Sequence, residues 1–151
     1  MLEEEYAPFQ KKYNLPKFSD IENEFDLLQA DPEYPLKGVR KSMQDKLDFL
    51  LELLTNMIQP VPESLAQMHE CEYLSEAEKK VLMDVFKEIN FLLRAIHESY
   101  IDNDEKRTAE VIKQVAIFWP QVKSNVLPFV KKLKESWKAE FIDEEKVGYF
   151  G

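Results

Sequence analysis

Between Gly38 and Gly148 the chain runs without a single glycine, and only Gly151 follows. Glycine supplies the positive φ of tight hairpins and bulges and lets a backbone wrap closely around a phosphate. A chain that dispenses with it over most of its length has few means of building β-turn architecture. What remains, rich in Leu, Glu and Lys, is the vocabulary of helices, and the sequence predicts an all-α fold. The same shortage removes the glycine-rich loops of nucleotide-binding and nucleophile-elbow enzymes. Neither a Walker loop, a dinucleotide fingerprint, Gly-x-Ser-x-Gly, His-Glu-x-x-His nor a paired-cysteine motif occurs.

Apolar residues fall at helical spacing. Over 35–58, Leu36, Val39, Met43, Leu47, Leu50, Leu54 and Met57 recur at steps of three and four, the pattern of one buried helix face. Pro35 suits a first turn. Gln59-Pro60-Val61-Pro62 ends the segment, because a residue before proline is pushed out of the α region. A second helix is expected from Ser75 to about 100, with Leu82, Val85, Phe86, Ile89, Leu93, Ile96 and Tyr100 on its stripe. Ser75 and Glu78 have capping-box spacing, with Leu74 placed as a hydrophobic staple. The connection between these helices is long for a bundle, so a short helical turn is expected at 63–69. A third helix is predicted over 108–119, with Val111, Ile112, Val115, Ala116 and Trp119 on one side. A fourth is predicted from Pro120 to 141. Its face of Val122, Val126, Phe129, Val130, Leu133, Trp137 and Phe141 stays in phase across Pro128, which predicts a kink there.

The first 35 residues read differently. Tyr6, Phe9, Tyr13, Phe18, Phe25 and Tyr34 are interrupted by Pro8, Pro16, Pro32 and Pro35. Two short helices are expected, the second opening at Ser19 with Glu22 three residues on. The architecture predicted is an antiparallel bundle of about four main helices (35–143), an aromatic and acidic N-terminal helical arm (1–34) packed across it, and a tail (144–151), all within one domain. The arm is expected either to cover the core or to dock on a partner.

Charge narrows the function. The net charge of −9 disfavours nucleic acid as a partner, which needs clustered cations, and only Arg40, Arg94 and Arg107 are available for bidentate phosphate recognition. The longest apolar run, 49–54, contains Glu52 and is far shorter than the roughly 20 residues of a membrane span. A single cysteine and the acidic start MLEEEYAPF, unlike a secretory signal, predict a reducing, cytoplasmic setting. The Lys/Glu-rich, arginine-poor balance is compatible with a thermophilic prokaryote. Charge is also uneven: the arm carries nine acids, whereas Lys123, Lys131, Lys132, Lys134 and Lys138 cluster near the C-terminal end, so the two regions are expected to attract within or between molecules.

Three places could carry chemistry. The stretch MHECEYLSEAE (68–78) holds His69 and Cys71, which with His97 are the metal candidates. Tetrahedral zinc wants three or four protein ligands, and the right half of the stretch already reads as a helix start. Di-iron bundles need Glu-x-x-His pairs, and Arg94 and Ala66 stand where those glutamates would be. The acids of ESYIDNDE (98–105) lack the glycine of a calcium loop and read better as a helix end and an N-cap by Asp102, Asn103 or Asp104. The third place is the basic amphipathic segment 129–141, where Lys131, Lys132, Lys134, Trp137 and Lys138 are the partner-binding candidates. The reading is a non-enzymatic helical interaction or regulatory module with no cofactor, acting on a protein partner or a second copy. The alternatives are a small helical subunit of a nucleoprotein complex and, after it, a metal-binding bundle.

Overall fold

The computed structural model describes residues 1–138. They form α1 (Leu2–Tyr13), α2 (Phe18–Glu24), α3 (Pro35–Ile58), α4 (Leu65–Glu72), α5 (Glu76–Asp102) and α6 (Glu105–Ser136). The expected boundary at 143/144, the tail 144–151 and the Phe141 end of the basic helix lie outside the described residues. The fold is the all-α bundle with a packed arm that the sequence predicts, and no strand occurs among the described residues. The long helices α3, α5 and α6 pack pairwise against one another, α4 lies on α3, and α1 crosses α3 and α6.

The periodic stripes become the core. All seven apolar positions expected on α3 are buried, as are Leu82, Val85, Ile89, Leu93 and Ile96 of α5. Tyr100 departs from its expected place and points outward, because Ser99 takes the inward position of that turn. There Ser99 Oγ–H donates to its own Ile96 carbonyl, and Ser99 and Thr108 hydroxyls accept from Arg40. Arg40 is buried beneath the Tyr100 ring, 5.3 Å from its centroid, and burial lowers its pKa.

Helix ends follow the sequence with two exceptions. Ser75 and Glu78 form the expected reciprocal capping box, and Asp104 caps α6 by accepting from Lys106 N–H. Asn103 adopts the left-handed conformation at φ 53°, so two residues turn α5 into α6 and the pair runs antiparallel. The first exception is α2, which opens at Phe18 with Lys17 as N-cap and has no side-chain cap, so the expected Ser19–Glu22 box does not form. Phe18 and Ile21 are both buried, and seating them in the core sets the start of the helix. The second is at Pro120: no helix begins there, and the expected third and fourth helices are one continuous α6. Both Pro120 and Pro128 lie on the exposed side. A helix that curves over a core is convex toward solvent, the side on which proline is least disruptive. The buried face (Val115, Trp119, Val122, Val126, Leu133) runs in phase through both prolines and offsets their cost. The helical turn expected at 63–69 forms further along the chain, as α4 over Leu65–Glu72 with Ser64 as N-cap.

The arm is part of the core. Tyr6, Leu15, Phe18, Ile21, Phe25 and Leu27 belong to the same buried cluster as α3, α5 and α6, with Phe9 and Tyr13 packed against it. Of the arm aromatics offered as a contact surface, only Tyr34 is exposed, because the others bury their rings on the bundle. Gly38 in α3 permits a close approach of the arm's end, since a Cβ there would sit 2.8 Å from Ala30 Cβ. Gly38→Ala is therefore expected to destabilise by about 1–2 kcal/mol, overpacking outweighing roughly 1 kcal/mol of improved helix propensity. Adding Ala30→Gly should recover the loss in a thermal melt, and a more stable single variant would contradict the close contact.

Candidate protein-interaction surface

Because α6 is one helix, its outward face forms a continuous line. Lys113, Ile117, Pro120, Ser124, Leu127, Lys131 and Lys134 follow one another at alternating steps of four and three, a spacing that keeps residues on one side of a helix, and Lys138 follows just past the helix end at Ser136. Ile117 is 71% exposed and Leu127 43%. The ridge thus changes character along its length, apolar between Ile117 and Leu127 and cationic from Lys131 onward.

The apolar half is the wall of a groove of about 730 Å³ between α6 and the arm. Leu15, Pro16, Ile21 and Phe25 line the arm side, opposite Ala116, Ile117, Trp119, Pro120 and Leu127, with Lys113 and Asp20 among its charged residues. Two prolines shape the α6 side further. Proline has no N–H, so Pro120 and Pro128 deprive the Ala116 and Ser124 carbonyls of their ordinary helical donors, and Ala116 and Ser124 both line the groove.

A clasp holds the arm at this distance. Glu24 accepts from Trp119 Nε1–H at 2.8 Å and from Lys123 Nζ at 3.0 Å. Phe25 packs on Trp119 with ring centroids 5.2 Å apart, and Lys46 lies over both rings while donating to the Glu24 carbonyl. This is the attraction expected between the acidic arm and the basic helix. A second pair runs with the opposite polarity, Lys12 of α1 to Glu105 at 3.0 Å, and Tyr13 shares that carboxylate.

The Trp119 and Lys123 hydrogen bonds hold the Glu24 carboxyl below the ordinary glutamate pKa. Such an acid stabilises the fold above its unfolded value, about 4.3, and that contribution is lost as pH falls through the lower folded value. At pH 7, Glu24→Gln is expected to cost about 1 kcal/mol, or roughly 2–4 °C in Tm. The gap to wild type should narrow progressively as melts are repeated at pH values below about 4.3. A gap of constant size would show that the carboxylate charge plays no part.

The basic candidates divide. Among the described residues, Lys131 and Lys134 are exposed and make no ion pair, and Lys138 reaches only Glu135, at 3.9 Å. Lys132 is instead held at 2.7 Å by Glu78 of the α5 capping box, which lowers the Glu78 pKa. Trp137 is also engaged within the molecule: its Nε1–H donates to Glu70, and its ring packs 4.2 Å from that of His69.

His69 therefore works as a packing residue of α4, between Trp137 and Tyr73, with Ser136 Oγ 3.3 Å from its Nε2. Cys71 is half-buried, and its interaction with Lys79 raises the lysine pKa. His97 lies on α5 with its Nδ1 3.0 Å from Arg94. The three metal candidates are distributed over separate settings, and among the described residues no group of three or more His, Cys, Asp or Glu is gathered as an ion would need. Nor is any described helix long and apolar enough to cross a membrane.

The residues missed from the sequence are Ile117, Pro120, Ser124 and Leu127. Their spacing joins that of the lysines, but only if α6 is read through Pro120. No protein-family model, curated protein or solved structure matches the chain.

Proposed function

We propose that this chain is a non-enzymatic binding module that receives a segment of a partner protein on the outward ridge of α6. The observation that carries the reading is the exposed line from Ile117 to Lys134, flanked by the arm's groove. Large apolar side chains standing in the open beside a concave apolar wall mark a contact site. The clasp at Glu24 fixes that wall before any partner arrives, which limits the ordering cost of binding. Phosphate recognition is less well supported: Arg40 is buried, Arg107 is paired with Glu98 and Asp102, and Arg94 lies beside His97.

The test is affinity capture from native extract with wild type, Ile117→Asp/Leu127→Asp, and Phe49→Asp as an exposed control on α3. A defined protein retained by wild type and the control but lost by the double variant is the expected result. A retained set indifferent to the double variant would overturn the proposal.

A further inference from the structure

We infer that the segment received by the α6 ridge is an acidic amphipathic helix of a partner protein, about five turns long; the inference rests on the reading of α6 as the binding surface. The ridge sets the length. From Ile117 to Lys134 it spans about 26 Å at 1.5 Å per residue. Its alternating steps of three and four match the contact line of a second helix laid alongside. Its two halves set the chemistry. Apolar side chains of the occupant would fill the space between Ile117, Leu127 and the arm, and its acids would lie over Lys131, Lys134 and Lys138.

Charge complementarity favours this occupant over others. In a chain of net charge −9, Lys12, Lys123 and Lys132 are neutralised internally by Glu105, Glu24 and Glu78. Lys131 and Lys134 are left facing solvent on the same line as the apolar patch. A basic segment would meet like charge there, and a purely apolar one would leave the lysines without counter-charge.

Fluorescence anisotropy with three labelled synthetic 20-residue peptides tests the proposal against the full chain. The first carries Leu at steps of three and four with Glu between, the second replaces Glu by Lys, and the third scrambles the first. Only the first should bind. Its affinity should fall at least tenfold for Lys131→Glu/Lys134→Glu/Lys138→Glu, at least tenfold for Ile117→Asp, and markedly between 0.1 and 1 M salt. Equal binding of the scrambled peptide would reduce the effect to charge alone and overturn the proposal, as would binding by none of the three. Binding of the Lys peptide that Ile117→Asp abolishes would overturn the acidic partner while leaving α6 as the docking surface. Light scattering that shows a wild-type dimer dissociated by Ile117→Asp would make the occupant a second copy, and would likewise overturn it.

Discussion

Tyr6→Ala is expected to lower the melting temperature by on the order of 10 °C and to release the arm. Tyr6 sits in the first helix, far in sequence from the bundle, yet it is 0% exposed. Its ring lies 5.6 Å from that of Phe18, and its hydroxyl donates to the Pro16 carbonyl at 2.7 Å. Burial pushes its pKa up, as expected for a phenol enclosed by side chains. Truncating a buried aromatic costs about 3–5 kcal/mol, and each kcal/mol is worth about 2–4 °C in a chain of this size. Tyr6→Phe keeps the ring and removes only the hydroxyl, so its cost should be about 1 kcal/mol. Trypsin adds a local readout: Lys11, Lys12 and Lys17 border the α1–α2 connection and should be cut faster in Tyr6→Ala. If Tyr6→Ala melts within 2 °C of wild type, the arm is not part of the core.

The second large effect is on binding. Ile117→Asp should weaken partner affinity at least tenfold while changing stability by less than about 0.5 kcal/mol, as for other exposed substitutions. Val122→Asp, on the same helix, should behave in the opposite way. Val122 is fully buried, and an unpaired carboxylate in the core costs several kcal/mol. The pair separates the two faces of α6 in one comparison: the Ile117 variant folds and does not bind, and the Val122 variant unfolds. Equal losses of stability in both would mean that the ridge is structural rather than a contact surface.

Much of this fold could be read from residues alone, and the failures share a cause. α3 and α5 declare themselves because Leu36–Met57 and Leu82–Ile96 repeat over several turns. Ser75–Glu78 marks the start of α5, and Asp104, one of the three caps expected over Asp102, Asn103 and Asp104, that of α6, by local hydrogen bonding that needs no tertiary context. Ser19–Glu22 has the same local spacing, but burial of Phe18 and Ile21 decides where α2 begins. Pro120 likewise resembles a first-turn proline, and only the continuous buried face of α6 overrides it. That single boundary hid the candidate surface. With the helix divided at Pro120, Ile117 and Leu127 belong to different elements and the lysines stand alone; with it joined, they form one line. The groove was beyond sequence reading for another reason, since its walls come from residues about a hundred positions apart, as in the Glu24–Lys123 pair. His69 illustrates the converse: a residue type associated with metals is accounted for by Tyr73 and Trp137.

The most direct test of α6 as the binding surface is site-specific photo-crosslinking in the native host. A photoreactive residue would replace Ile117 or Leu127, and in control chains Phe49 or Tyr100. The account predicts one partner crosslinked from both α6 positions and from neither control, with the attached peptide rich in Asp and Glu between regularly spaced apolar residues. Crosslinks that form equally from Phe49 or Tyr100, or none from α6 while a control position captures the partner, would contradict it.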